Sequence, residues 1–378
     1  MTDSILVAIH EALSGVNDPE LRRPLTDLGM VGSVDYLDGV ARLGIKLTIS
    51  GCPMRDRLHS DISEALLSIT GVERVEITFG VMSDEEREAV KKLLRGGREK
   101  FNPFAQEDCL TRVIGIASGK GGVGKSSVTA NLAVAAAARG LTVGILDADV
   151  YGHSIPRLMG VLDRRPTALD QTFIPVENYG VKIVSMEMFK PNREDPIAYR
   201  GPLLHRVLEQ LMSDAYWGSL DLLLLDLPPG TGDIAISLGQ LIPRSEILVV
   251  TTPQIAAAEV AERAGRIAFQ MKQRIIGVVE NMSASPCPHC GEAIALFGSG
   301  GGAETARRLG ALVASEVPLL AQIPFDGALR DGGDSGTPAY LDSSAVQESL
   351  MKRTFDELLT KLMATRPSLV GVPLSLHT

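Results

Sequence analysis

Residues 119–126 read GKGGVGKS, preceded by TRVIGIAS and followed by an alanine-rich run that stops at Gly140. An apolar β-branched run, a glycine-rich turn and a helical pattern in that order dictate a strand, a loop and a helix. Gly119, Gly121, Gly122 and Gly124, with Val123 between the last two, let successive backbone N–H groups converge on phosphates. The following helix aims its N-terminal dipole at the same point. In this spacing Lys125 reaches the β- and γ-phosphates, Ser126 ligates Mg²⁺, and Ser127 after it is expected to bind the nucleotide as well. Lys120 has no role in that scheme. On the outer lip of the loop it would serve a nucleotide held by a facing subunit, which predicts a nucleotide-dependent homodimer.

A phosphate loop needs an acidic strand end to hold Mg²⁺, and LDLLLLDLPPGTGD supplies Asp226 after four leucines. Leu227, Pro228 and Pro229 follow, so the adjacent glutamate that many ATPases use to position water is missing. The strand ending LDADVYG offers Asp147 and Asp149 instead, with Asp149 orienting the attacking water and Asp147 assisting. Either aspartate also suits a turn cap. The loop at 228–233, PPGTGD, has Gly230 at its centre and reads as a γ-phosphate sensor or a tight strand-to-helix turn. Asn281, in VVENMS, lies where a purine edge would be read, and equally suits a turn cap. No N-K-x-D guanine motif occurs, so ATP is expected rather than GTP.

The chain has 378 residues, 45% hydrophobic and 22% charged, with a net charge of −9. That composition suits a soluble globular protein and disfavours general nucleic-acid binding. The longest apolar runs fall well short of the roughly 20 residues that span a bilayer, and no membrane partner is expected. The N-terminus lacks a secretory or mitochondrial pattern, so a cytoplasmic location is expected. Residues 1–96 alternate helix and strand patterns as a small α/β domain, and 97–110 read as a linker. Residues 111–367 carry recurring apolar runs between helices: TRVIGIA, LTVGILDA, VKIVSM, LDLLLLDL, EILVVTT, RIIGVVEN and ALVASEVPLL. Continuous runs of this kind predict a doubly wound, mostly parallel α/β sheet with its ligands at the carboxyl ends of the strands. Residues 368–378 read as a loose tail.

Four cysteines occur, too few for a disulfide framework. Cys287 and Cys290 lie in CPHCG, a spacing that turns both sulfurs toward one metal centre. The pair is half of a four-thiolate site. Two subunits meeting face to face would complete it on their symmetry axis. A reduced pair without metal and a zinc site are the alternatives. His289 lies between the thiols and points more naturally away. Cys52, after a strand and before a helix, reads as an activated thiol or a buried structural cysteine. Cys109 shows no motif.

Taken together, GKGGVGKSS, DADVYGHSIP, LDLPPGTGD, TTPQ and CPHCG resemble the Mrp/ApbC/Nbp35 family of iron–sulfur cluster carrier ATPases. These belong to the deviant-Walker-A group of P-loop NTPases with MinD, ParA and the nitrogenase iron protein. The resemblance covers about 111–365. It implies ATP-dependent homodimers that bind a labile [4Fe-4S] cluster between paired CxxC motifs and pass it to apoproteins. It also implies that Lys120 acts across the dimer and Asp149 is the switch acid. His153 replaces the family's more usual proline. NDPELRRPLTDLGMV and LTISGCP resemble the MIP18-like (DUF59) domain associated with iron–sulfur assembly, whose cysteine maps onto Cys52. The competing readings are a MinD/ParA-like positioning switch and a zinc-binding metallochaperone or scaffold. The mixed charges of VQESLMKRTFDELLTKLMA oppose a membrane-targeting helix and so the first of these.

Overall fold

In the computed structural model the chain is described over residues 2–19, 21, 23–48, 54–94, 102–149, 152, 154–169, 172–190, 201–230, 233–287, 289–341 and 350–365. Tertiary contacts divide it into two units. The first comprises 1–101 together with 166–175 and 213–218, and the second the remainder. The two short segments fall inside the span 111–367 that sequence patterning assigns to one domain.

The first unit is built from α1 (Thr2–Gly15), β1 (Val31–Leu37), β2 (Val40–Leu47), α2 (Arg55–Leu67), β3 (Arg74–Val81) and α3 (Asp84–Leu94). Helical spacing sets one face of each core helix: Ile9 and Leu13 are buried on α1, and Leu58, Ile62 and Leu66 on α2. Ala41, Leu43, Ile45 and Leu47 alternate inward along β2. This central strand pairs antiparallel with β1 and parallel with β3. Sequence patterning misses β1 because VGSVDYL is largely exposed. Its signal is the Asp38-Gly39 turn, where both residues take positive φ, 47° and 78°, as a two-residue hairpin requires.

The second unit centres on an eight-stranded sheet. Its strands are β4 (Arg112–Ser118), β5 (Val143–Asp147), β8 (Val176–Asn178), β9 (Val181–Ser185), β10 (Leu222–Asp226), β11 (Glu246–Thr251), β12 (Arg274–Ser283) and β15 (Leu319–Pro324). The intervening labels go to two small hairpins, β6 (Thr167–Leu169) with β7 (Thr172–Ile174), which belongs to the first unit, and β13 (Ser285–Pro286) with β14 (Ala293–Ile294). The order β15-β12-β11-β4-β10-β5-β9-β8 puts β4 near the centre, and only β8 runs antiparallel to its neighbour. The helices are α4 (Lys125–Ala138), α5 (Ile155–Leu158), α6 (Gly201–Ser213), α7 (Asp233–Leu241), α8 (Ile255–Gln270), α9 (Gly301–Val313), α10 (Gly327–Ser335) and α11 (Leu350–Ala364). Leu222 to Leu225 are all buried, as expected of a strand covered on both faces. Among the described residues, no helix is long and apolar enough to cross a membrane.

One expected strand is corrected. ALVASEVPLL is not a single strand, because α9 runs through Val313 and ends on Ala314 in the left-handed conformation, φ 52°. Leu312 and Val313 are half-buried in the last turn of α9, before β15 begins at Leu319.

Candidate functional site

The chain turns from the end of β4 into α4 through the glycine loop, beside the carboxyl ends of β5, β10, β11 and β12. Gly122 and Gly124 have φ of 77° and 78°, where side chains with Cβ are strained. Gly119 is needed for a different reason: a Cβ there would lie 2.3 Å from the Val260 backbone carbon of α8. Gly121 is exposed, Val123 is buried, and Ser127 is half-buried in the first turn of α4.

Asp226 is fully buried and engages three partners from the loop and helix. Lys125 Nζ lies 2.7 Å from its Oδ2. Ser126 Oγ donates to Oδ2 at 2.5 Å and Thr129 Oγ1 donates to Oδ1 at 2.8 Å. The Ser126 hydroxyl and the Asp226 carboxylate are hard oxygen donors side by side, a set that fits Mg²⁺. Asp226 pairs in register with Asp147, and Asp147 with Ser185, so three adjacent strands end on polar side chains in one row. Asp147 accepts hydrogen bonds from Ser185 Oγ at 2.9 Å and from the Asp149 backbone N–H at 3.1 Å. Burial, reinforced by the charge of Asp226, pushes its carboxyl well above the usual range. Asp149 Oδ2 lies 3.9 Å from Lys125 Nζ, and its Oδ1 accepts from the Gly152 N–H at 3.0 Å.

Lys120 is exposed on the outer lip, its Nζ donating to Gln254 Oε1 at 3.2 Å. The same oxygen accepts from Thr252 Oγ1 at 2.8 Å. Gly230, with φ 88°, ties the proline loop to β4 by donating from its N–H to the Ser118 carbonyl at 2.9 Å. Asn281 is buried, and its Nδ2 donates to the Val123 carbonyl at 2.9 Å.

Cys287 and Cys290 cap the β13–β14 hairpin, which continues from the end of β12. Backbone hydrogen bonds from the Cys287 N–H to the Glu292 carbonyl, 2.8 Å, and from the Gly291 N–H to the Cys287 carbonyl, 2.9 Å, close the turn. The Cys287 thiol is held below its ordinary pKa by the His289 backbone N–H first, and then by the backbone and thiol of Cys290. Cys290 is exposed and Cys287 half-buried. Among the described residues, no group of three or more His, Cys, Asp or Glu has the geometry to hold a metal ion. Cys52 lies outside the described residues, as do Thr231 and Gly232 of the proline loop.

Sequence reasoning missed Thr129, Ser185 and the bond made by Gln254. Thr129 stands one turn after Lys125, a polar side chain on the loop-facing side of an otherwise alanine-rich helix. Ser185 ends an apolar strand, as Asp147 and Asp226 do, and that shared terminal polarity is its signal.

The family model described as the NUBPL iron-transfer P-loop NTPase matches residues 109–363, and one described as an iron–sulfur cluster assembly protein matches 6–79. The iron–sulfur cluster carrier protein of Mycobacterium tuberculosis is 52% identical over 371 residues, covering 98% of this chain and 96% of the relative. That of Bacillus subtilis is 35% identical over 319 residues, covering 84% and 87%. A solved nucleotide-binding protein from Archaeoglobus fulgidus, in complex with ADP, is 37% identical. It superposes with a TM-score of 0.52 over 61% of this chain and 88% of that one. The chain belongs to the NUBPL iron-transfer family of P-loop NTPases.

Proposed function

We propose that this protein is an ATP-hydrolysing iron–sulfur cluster carrier. Its homodimer holds a labile [4Fe-4S] cluster between two Cys287/Cys290 pairs and delivers it to apoproteins in the cytoplasm. The observation that carries the reading is the hairpin itself. It presents two thiols, one biased toward the thiolate that binds iron, in the same unit as the phosphate loop. Two thiolates per chain are half of a four-iron site, so a second copy supplies the rest. The carrier relatives, similar over nearly the whole chain, support the same reading. The segment 1–96, of which residues 6–79 match an iron–sulfur assembly model, is the accessory domain of that task.

In the nucleotide site the amides of residues 119–124 bind the phosphates and Lys125 neutralises the β- and γ-phosphate oxygens. Ser126 and Asp226 would hold Mg²⁺, which supplies charge neutralisation on the same oxygens. Asp149 orients a water toward the γ-phosphorus. As its oxygen bonds to phosphorus, the bond from phosphorus to the β-bridging oxygen breaks, the water's proton passes to a phosphate oxygen, and ADP and inorganic phosphate are released. Asp147 holds the Asp149 backbone through its N–H. Gly230 belongs to a loop that follows loss of the γ-phosphate. Asn281 lies near the base, and its Oδ1, unpartnered among the described residues, is an acceptor for the adenine amino group. Lys120 crosses to the nucleotide of the partner.

Anaerobic reconstitution with iron and sulfide tests the reading. About four irons and four sulfides per dimer are expected, lost in Cys287→Ala. Stoichiometric zinc in freshly purified protein that accepts no cluster would sink it.

A further inference from the structure

Asn281 does more than line the nucleotide site. Its Nδ2 donates to the carbonyl of Val123 across 158 residues of sequence, tying β12 to the phosphate loop. The approach is possible only because residue 124 is glycine, since a Cβ there would sit 2.2 Å from Nδ2. Val123 itself is buried between two left-handed glycines, so its carbonyl direction is set by the conformation of the loop. The other half of the amide, Oδ1, is buried without a hydrogen-bond partner among the described residues. A buried carbonyl oxygen left unpaired is costly, so a side chain serving packing alone would be better apolar.

The strand changes character at this residue. Asn281 pairs with Ile323 of β15, but the register shifts before the next pair, Ser283 with Pro324. Between them Met282 takes φ 60°, a left-handed conformation that costs a non-glycine residue energy. Bulges of this kind re-aim a strand beside a functional site. After the bulge the Ser283 carbonyl accepts from the Phe325 N–H at 3.1 Å, and the chain runs directly into β13 and Cys287. Five residues separate the amide that holds the phosphate loop from the first thiol.

We propose that Asn281 is a positioning residue that couples the phosphate loop to the cysteine hairpin. A change in the loop's carbonyl direction on nucleotide binding pulls on Nδ2, shifts the bulged end of β12, and alters how the hairpin presents Cys287. Thermodynamic reciprocity then makes a metal-loaded hairpin change nucleotide affinity by the same factor. The proposal rests on the nucleotide and cysteine roles above, but its test needs neither a cluster nor hydrolysis.

The test measures alkylation of Cys287 by iodoacetamide, followed by mass spectrometry of its peptide in the full-length protein, with and without saturating Mg-ADP. In the wild type, ADP is expected to change the rate by about fivefold or more. In Asn281→Ala and in the isosteric Asn281→Asp, which has no donor for Val123, the change is lost at saturating ADP. Asn281→Gln, which keeps a donor, restores part of it. Wild-type hydrogen exchange over Ser285–Ile294 provides a measurement that needs no variant, and ADP is expected to alter it. An unchanged ADP response in the folded Asn281 variants overturns the proposal, and so does a wild-type hairpin indifferent to ADP. Failure of the carrier reading would appear separately, as protein that shows this coupling yet accepts no cluster.

Discussion

Lys125 Nζ and Asp226 Oδ2 form an ion pair at 2.7 Å, with side chains 6% and 0% exposed. Removing one partner of a buried pair strands the other charge, at a cost of roughly 3–5 kcal/mol. Asp147 lies in register beside Asp226, so Lys125→Ala also leaves two carboxyls facing each other without a cation. Loss of hydrolysis in Lys125→Ala is therefore expected to come with a lower denaturation midpoint. A variant that loses hydrolysis at wild-type stability would show that the pair does not support the fold.

Lys120 behaves oppositely. It is exposed, and its contact with Gln254 is a single neutral-acceptor hydrogen bond. Lys120→Ala is expected to shift stability by no more than about 0.5 kcal/mol while abolishing phosphate release. Mixing it with Lys125→Ala should restore part of the activity, because one mixed site then has both lysines. Absence of rescue in a mixture shown to form heterodimers would count against action across the interface.

Asp147 gives a stability signature that depends on pH. Burial and the neighbouring Asp226 charge raise its carboxyl pKa in the native state. The folded protein then holds the proton more tightly than the unfolded chain. The group's contribution is fully present below the unfolded value of about 4 and is lost as pH rises toward the native one. Asp147→Asn removes this loss and keeps an acceptor for the Asp149 N–H. Denaturant midpoints should show the variant gaining on the wild type as pH increases above about 4, and a difference independent of pH would contradict the assignment.

Cys287 should react at lower pH than an ordinary free cysteine, because the backbone N–H groups of His289 and Cys290 stabilise its thiolate. The leading cause of its depressed pKa is the His289 backbone N–H, so Cys290→Ser removes only the thiol contribution. Rate-against-pH profiles of alkylation should place Cys287 below a free cysteine peptide in the wild type, with a smaller displacement in Cys290→Ser. A Cys287 profile equal to that of a free cysteine in an unstructured peptide would remove the thiolate bias.

Much of the second unit is legible because its strands are buried on both faces and read as unbroken apolar runs, as in Leu222 to Leu225. The glycine loop is legible because positive φ and close helix approach leave only glycine. Strand β1 is not, since an exposed edge strand needs no apolar alternation. The two-residue β13–β14 pairing is too short to leave a pattern. ALVASEVPLL misleads because an amphipathic helix end followed by a strand presents the same apolar density as one strand. The site divides similarly. Lys125, Ser126 and Asp226 follow from spacing, whereas the Asn281 bond to Val123 depends on a tertiary approach that no local window contains.

Arg112, the first residue of β4, is buried. Its guanidinium bonds Glu246 at 2.6 Å, the Leu362 carbonyl at 2.7 Å and Thr365 Oγ1 at 2.8 Å. Two of those acceptors lie about 250 residues later, in the last turn of α11 and just after it. A ribosome therefore delivers the opening strand of the nucleotide unit long before the groups that complete it. Until α11 emerges, that strand carries a guanidinium lacking two of its native acceptors. Native closure of the sheet has to wait until α11 has been made, and a nascent chain arrested before Leu362 should remain protease-sensitive in β4.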